Sequence, residues 1–242
     1  MLPKNLLTIY GRNAVLEALE NRELSIYALH LASSNKKSEK IEKIISLANK
    51  RDIEIKYHSR EKLSFISKNK KQDQGVALDI TLNSLKDLSF LEQLNSYRVL
   101  ALDGITNPQN LGMIIRSATA GNIDAIILQK KATASLVSPL TIKASVGTIF
   151  KLPIIYVDSL YKSLKILQNQ SAKILTLDLS AQEDIFNINL PTKTIFVLGN
   201  ETSGVSKEIT MLSDKRIKIF MNRDVESLNV AATGTLLSFL KR

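Results

Sequence analysis

Hydrophobic and polar positions along the chain fall into two rhythms that alternate from end to end. Apolar residues spaced three to four apart mark helices, and short alternating or continuous apolar runs mark strands. In the first part, YGRNAVLEALEN places Ala14, Val15, Ala18 and Leu19 on one helical face, and SIYALHLA follows as a strand. KSEKIEKIISLANKR reads as an amphipathic helix with Ile41, Ile44, Ile45 and Ala48 inward. DIEIKY is a short alternating strand, SREKLSFISKN a helix opened by Ser59, and GVALDI a further strand. The pattern predicts a small α/β unit over residues 1–80. Residues 81–96, TLNSLKDLSFLEQLNS, are polar without a long core pattern and are expected to link two units.

From Tyr97 the strands become strongly apolar: RVLALD, DAIILQ, LPIIYV, KILTLDL, TIFVLG and RIKIFM, with helical segments between most of them. This alternation predicts an α/β unit over 97–242, built on a mostly parallel sheet covered on both faces. Its closing helix, VESLNVAATGTLLSFL, is apolar on almost every side and is expected to be buried.

Three segments of this second unit share a strand–turn–helix design: LDGITNPQNLGMIIRSATAG (102–121), FVLGNETSGVS (196–206) and IKIFMNRDVESLNVAATG (217–234). In open α/β sheets ligands bind outside the carboxyl ends of the strands. Asn107, Asn110, Asn200, Glu201, Ser227 and Asn229 fall at or just beyond such ends, so the three turns are expected to form one composite site. Asn107 and Asn110, Ser227 and Asn229 also suit plain helix caps, with Pro108 at the start of the first helix.

Composition narrows the chemistry. The formal net charge is +10, and residues 1–80 hold half of that excess, with 15 basic and 10 acidic side chains. Within 36–71 the count is 12 against 5, dense enough for a face that binds a polyanion, be it RNA, DNA or an acidic membrane. No apolar run reaches the roughly 18 residues of a membrane span, and the N-terminus lacks a secretory pattern. Cysteine is absent, which removes disulfides, thiolate catalysis and cysteine-ligated metals and fits a reducing cytoplasm. His30 and His58 both lie in the first unit, so the second has no histidine base, triad or zinc ligand set. No two of the nine glycines are separated by one residue, so the dinucleotide fingerprint is missing. Gly199 and Gly204 have the spacing of a phosphate-binding loop, but Val205 replaces its lysine and Glu201 would oppose a triphosphate.

Together, NPQNLGMIIR, LGNETSGVS and IFMNRDVESLNVAATG resemble the three motifs of the SpoU family of RNA ribose 2′-O-methyltransferases, within the SPOUT superfamily. The resemblance spans essentially the whole chain. YGRNAVLEAL and DQGVALDI are similar to the substrate-binding unit of members that modify large-subunit ribosomal RNA. There the pattern more often reads Tyr-Gly-x-His-Ala-Val and His-Gln-Gly; here Asn13 and Asp73 replace the histidines, and Thr202 stands where many relatives have glycine.

The resemblance implies S-adenosylmethionine as methyl donor, no metal, a homodimer whose site straddles the interface, and RNA as partner. It implies a SPOUT-type parallel-sheet domain with a deep trefoil knot, which general chain topology would not lead one to expect. The first unit then resembles ribosomal-protein RNA-binding folds. Asn110, Arg116, Glu201, Ser227 and Asn229 are the implied catalytic residues. Leu198, Gly199, Asn200, Gly204, Ile219, Met221 and Leu228 are implied to hold the donor, with Ile219 and Leu228 around the adenine. Arg116, expected one turn into its helix, is too basic to take a proton and is read as a phosphate clamp and alkoxide stabiliser. The expected target is a guanosine of large-subunit ribosomal RNA; transfer RNA methylation and non-catalytic RNA binding are the alternatives.

Overall fold

The computed structural model describes residues 6–22 and 24–241. The outermost limits expected for the two units, residues 1–5 and Arg242, lie outside the described residues. The first unit runs β1 (Leu6–Tyr10), α1 (Arg12–Glu20), β2 (Ser25–Ala32), α2 (Glu39–Lys50), β3 (Glu54–His58), α3 (Arg60–Ser67) and β4 (Val76–Thr81). Its sheet has the order β1-β4-β2-β3; β4 is antiparallel to both neighbours and β3 is parallel to β2. Strand β1, LLTIY, is an edge strand whose only fully buried residue is Ile9, so its periodicity is weak. Ser38 and Ser59 cap α2 and α3 by accepting from the N–H groups of Ile41 and Lys62. The expected inward residues of α1 and α2 are buried against the sheet, except Ile45, which is half-buried.

The other face of this sheet carries a polar seam. Thr8 Oγ1 donates to Asp79 Oδ1 at 2.6 Å, Asp79 Oδ2 lies 2.9 Å from His30 Nε2, and His30 Nδ1 lies 2.9 Å from His58 Nε2. Burial works against ionising Asp79, but the hydrogen bonds from His30 and Thr8 outweigh it and hold the carboxyl below its ordinary range. His58 is pushed below the usual histidine value by burial first, then by positive charge at His30, Lys62 and Lys56. The contact also needs one proton between the two facing ring nitrogens; two would set N–H against N–H.

The second unit continues with β5 (Leu85–Lys86), β6 (Tyr97–Leu102), α4 (Pro108–Ala120), β7 (Ala125–Gln129), α5 (Pro139–Ser145), β8 (Ile154–Val157) and α6 (Leu160–Asn169). It closes with β9 (Lys173–Leu177), β10 (Glu183–Asp184), β11 (Lys193–Leu198), α7 (Lys207–Leu212), β12 (Lys215–Lys218) and α8 (Val230–Ser238). The sheet order is β10-β12-β9-β11-β6-β7-β8-β5, parallel at every pairing. One face lies under α4, α5 and α8, and its apolar cluster continues without a break into the α1/α2 layer of the first unit. The opposite face has its own cluster beneath α6 and α7. Both faces are covered, which is why the central strands read as unbroken apolar runs.

The segment 81–96 is built into this architecture. β5 pairs with β8 at the sheet edge, Ser84 Oγ donates to Ile149 O at 3.1 Å, and Leu82 and Leu91 are buried. Leu85, Leu88, Leu91 and Leu94 recur every third residue, the period of the 3-10 helix formed over Leu88–Gln93.

Two expected elements are shorter than the apolar pattern indicated. RIKIFM leaves the sheet after Lys218, and the closing helix starts at Val230 rather than Val225. Residues 219–229 form a loop instead, with Arg223 and Asp224 both in the left-handed region (φ 58° and 57°). Helix α8 is also not fully buried. It packs on α4 and β11 through Val230, Ala231, Gly234 and Leu237, while Ala232 and Phe239 face outward, Phe239 at 56% exposure. Small residues bring its inner side close to α4, leaving the larger outer residues uncovered in a single chain.

A histidine held below its free value contributes stability that is complete above the ordinary histidine range and lost as pH falls through the folded value. Unfolding free energy is therefore expected to drop on acidification from about pH 7.5 to about pH 5, and to drop less in His58→Gln. Urea titrations across that window check this; parallel curves for the two proteins would remove the seam from the account.

Candidate active site

The carboxyl ends of β6, β11, β9 and β12 open on one edge of the sheet, and their loops meet there. In the loop after β6, Asn107 Oδ1 accepts from the N–H of Gln109 (2.9 Å) and of Asn110 (3.4 Å), capping α4 with Pro108 at its first position. The loop after β11 closes on itself: Asn200 and Gly204 exchange backbone hydrogen bonds of 3.1 and 2.8 Å. Asn200 Oδ1 accepts from the N–H of Thr202 (2.9 Å) and Ser203 (3.2 Å), and its Nδ2 donates to Gly104 O at 2.9 Å. Asp103 Oδ2 accepts from Ser206 N at 2.7 Å. These bonds stitch the first two loops together. They also occupy the N–H groups of residues 202–204, so no backbone cradle remains for a triphosphate.

Gly199 is fixed by packing. A Cβ there would stand 2.1 Å from Gly204 C and 2.2 Å from Val205 N. The third loop, after β12, ends at Asn229, whose Oδ1 accepts from Ala231 N at 2.8 Å and caps α8. Ser227 is exposed in that loop and is not the cap. One side chain joins all three loops: Asn110 Nδ2 donates to Glu201 Oε1, and Asn229 Nδ2 donates to Asn110 Oδ1 at 3.3 Å.

Beside this junction lies a cleft of about 320 Å³. Leu198, Gly199, Asn200, Gly204, Ile219, Met221 and Leu228 all line it, as do Glu201, Ser227 and Asn229. Asn110 stands behind Glu201 and Asn229, 9% exposed, and does not line the cleft. Arg116 is not in the cleft either. It sits past the second turn of α4 rather than one turn in, about 9 Å along the axis from Asn110, because the helix already starts at Pro108. It is exposed and makes no hydrogen bond or ion pair with another described residue.

Sequence reasoning passed over Leu177, Asp178 and Leu179, which complete the wall at the end of β9. The strand-end rule that singled out the other loops applies equally to KILTLDL and would have found them. The side-chain and then the backbone hydrogen bond from Ser180 hold Asp178 below its ordinary range, with burial opposing and Arg216 assisting. Glu201 and Asp178 thus face the cleft with Lys218 as the only lysine or arginine lining it among the described residues, a setting for a neutral or cationic ligand. Among the described residues no group of three or more His, Asp or Glu is placed to hold a metal, and no helix is long and apolar enough to cross a membrane.

Residues 97–239 match the model of the SpoU rRNA Methylase family, and residues 8–85 match that of the RNA 2′-O ribose methyltransferase substrate-binding domain. The 23S rRNA (guanosine-2′-O-)-methyltransferase RlmB of Neisseria meningitidis is 31% identical over 97% of this chain and 94% of its own. RlmB of Xanthomonas campestris is 30% identical over 95% and 93%. The fold matches that of the SpoU methyltransferase AviRb from Streptomyces viridochromogenes, solved in complex with AdoMet. The TM-score is 0.71 at 21% identity, over 97% of this chain and 88% of that one. The chain belongs to the SpoU rRNA methylase family.

The cleft residues fit S-adenosylmethionine. Ile219, Leu228 and Leu179 offer apolar walls, the loop after β11 approaches without a side chain at Gly199, and two carboxylates complement a cation. Gly199→Ala is expected to cost about 2–3 kcal/mol of unfolding free energy, as overpacking against fixed backbone does. Gly204, left-handed (φ +67°) with nothing within 4 Å of a Cβ, should cost only about 1 kcal/mol on change to alanine. Urea unfolding of both variants tests the ranking; equal losses would mean that the Gly199 contact yields.

Proposed function

We propose that this chain transfers a methyl group from S-adenosylmethionine to the ribose 2′-hydroxyl of a guanosine in large-subunit ribosomal RNA. The observation that carries this reading is the junction of the three motif loops at Asn110, beside one cleft lined by all seven expected donor-binding residues. Residues 1–80 form the RNA-binding unit and 97–242 the catalytic unit, joined through 81–96. The absence of cysteine and a ribosomal substrate fit a cytoplasmic protein.

When bound, the donor supplies a methyl group on a sulfonium, reactive toward an oxygen nucleophile. The chain's contribution is position and charge. Ile219 and Leu228 would hold the adenine, with Met221 in the same wall, and the main chain at Leu198 and Gly199 would approach it closely. Asn200 and Gly204 hold the loop's shape. Glu201, held by Asn110, would supply negative potential to the positive sulfur. Ser227, exposed at the rim, is free to bond the incoming ribose or its phosphate. Arg116 grips an RNA phosphate and stabilises the developing alkoxide, while the proton leaves to a phosphate oxygen, a carboxylate or water.

Arg116 lies outside its own cleft, so the reading includes a homodimer in which it serves the partner's site. Supporting this, Leu236, Phe239, Leu240 and Phe186 line an open apolar cavity of about 880 Å³ beside Thr235, whose Oγ1 meets Ser117 Oγ of α4. A trefoil knot is part of the same proposal. It is supported by the return of α8 between α4 and β11, and by Arg98 of β6 and Asn122 holding the carbonyl of Leu240 at 2.7 and 3.0 Å.

The test is methyl incorporation from radiolabelled donor into unmodified ribosomal and transfer RNA. Ribosomal RNA is expected to be labelled at one ribose; label in transfer RNA alone would reassign the substrate, and none in either would leave a binding protein. Arg116→Ala and Glu201→Ala should each lose about 100-fold or more in kcat. Denatured together and refolded, they should recover about a quarter of the wild-type rate if each site draws on both chains. No recovery would place Arg116 and Glu201 in the same chain's site.

A further inference from the structure

Outside the cleft, a second cavity of about 300 Å³ lies at the joint between the two units. Asn13 and Ala14 of α1, Lys71 and Gln74 of the loop before β4, and Leu140 and Lys143 of α5 line it. Gln72 lines it as well, with its Oε1 accepting from Asn69 Nδ2 at 3.3 Å. Asn13 Oδ1 already accepts from Lys40 Nζ at 2.7 Å, and Gln74 Oε1 already accepts from Arg12 N at 3.1 Å. Both partners are obligate donors, so the orientation of each amide is fixed. Each oxygen keeps one lone pair, and the NH2 groups of Asn13 and Gln74 are left to donate, neither having a partner among the described residues. Lys71 and Lys143 are exposed and make no ion pair with a described carboxylate. The cavity therefore presents amide donors and two lysines, with no carboxylate among its lining residues.

The loop is also rigidly built. Asp73 is fully buried; it accepts from Gly75 N at 2.9 Å and Ser67 Oγ at 3.1 Å, and lies 3.2 Å from Arg60 Nη2. Gln74 is held in the left-handed region at φ 50°, an uncommon place for a glutamine. The backbone of this loop is thereby fixed in a conformation that sets Gln74 beside Asn13, while Pro139 packs near Gly11 from the other unit. A shallower hollow lined by Arg12, Asn13, Lys40 and Gln74 continues the same surface outward, with Glu39 as its one acid.

We infer that this joint is a seat for a phosphodiester of the substrate RNA, in which Asn13 and Gln74 donate to the phosphate oxygens and Lys71 and Lys143 supply charge from the two units. The inference rests on the RNA reading above and adds a contact to it. The seat lies on the side of α5 away from α4, which packs on α5 through Gly112 against Thr141 and Ala144. It is thus about one helix diameter, 10–12 Å, from the helix that carries Asn110 and Arg116. A strand seated there is anchored one helix away from the first-motif helix, outside the cleft.

Asn13→Asp with Gln74→Glu is the informative variant. Both changes preserve the acceptors for Lys40 and Arg12, so folding is maintained, while each outward donor becomes an acceptor. Filter binding of a large-subunit ribosomal RNA transcript over a salt series is expected to show at least tenfold weaker affinity. S-adenosylmethionine binding by calorimetry and the thermal midpoint should stay at wild-type values. Lys143→Gln, from the catalytic side, should lower the log–log salt slope by about 0.7–0.9. Wild-type affinity and slope in both variants overturn the proposal, and do so whether or not the enzyme methylates the transcript. Guanosine monophosphate titrated into the same proteins separates a free-nucleotide site. Its binding lost in the variants with RNA affinity unchanged would overturn the RNA assignment.

Discussion

One nearly buried amide holds the site in register. Asn110 offers its NH2 to Glu201 and its oxygen to Asn229, partners 91 and 119 residues away. A charged acceptor on one side and a cap residue on the other leave the side chain little freedom to rotate. Because Asn229 also closes the first turn of α8, the placement of that helix and the pose of Glu201 are coupled. Removing the amide would unlink the three loops, although Glu201 and Asn229 are exposed and water would take up the bonds they lose.

Behind that amide the backbone is fastened independently. Asn200 folds its own loop and reaches Gly104, while Asp103 takes the first free N–H of the segment leading into α7. The parallel sheet makes this possible. With β6 and β11 adjacent and paired over their full lengths, their carboxyl ends emerge side by side. Residues far apart along the chain then need only short loops to meet, and the precision of the site comes from strand register more than from any one contact.

Much of this was legible in the chain. Strands buried on both faces appear as apolar runs, and Ser59 and Asn107 announced the helices that they cap. The cleft was legible because glycine and amide residues at strand ends have few other reasons to cluster. Three features were hidden. Strand β1 buries only Ile9, and β5 is two residues long, so neither generates a period. IFMNRDVESLN looks like strand then helix by hydrophobicity, yet Ile219, Met221 and Leu228 line the cleft while Phe220 and Val225 are exposed. Arg116 could be placed on a helix but not on a side of it, since spacing along one helix says nothing about what lies opposite. The substitution of Asp73 for histidine, opaque in sequence, has a plain physical role as the buried post of its loop.

The connection between the units has a consequence for what the protein can measure. Its connector is hydrogen-bonded into the large sheet at β8, and one continuous apolar cluster spans both units. The first unit is therefore not a pendant arm on a flexible tether. On the proposed reading, the cleft and the joint are two grips at a fixed separation and would act as a calliper: a nucleic acid must bend to that gauge to touch both, and one too stiff or wrongly folded satisfies only one jaw.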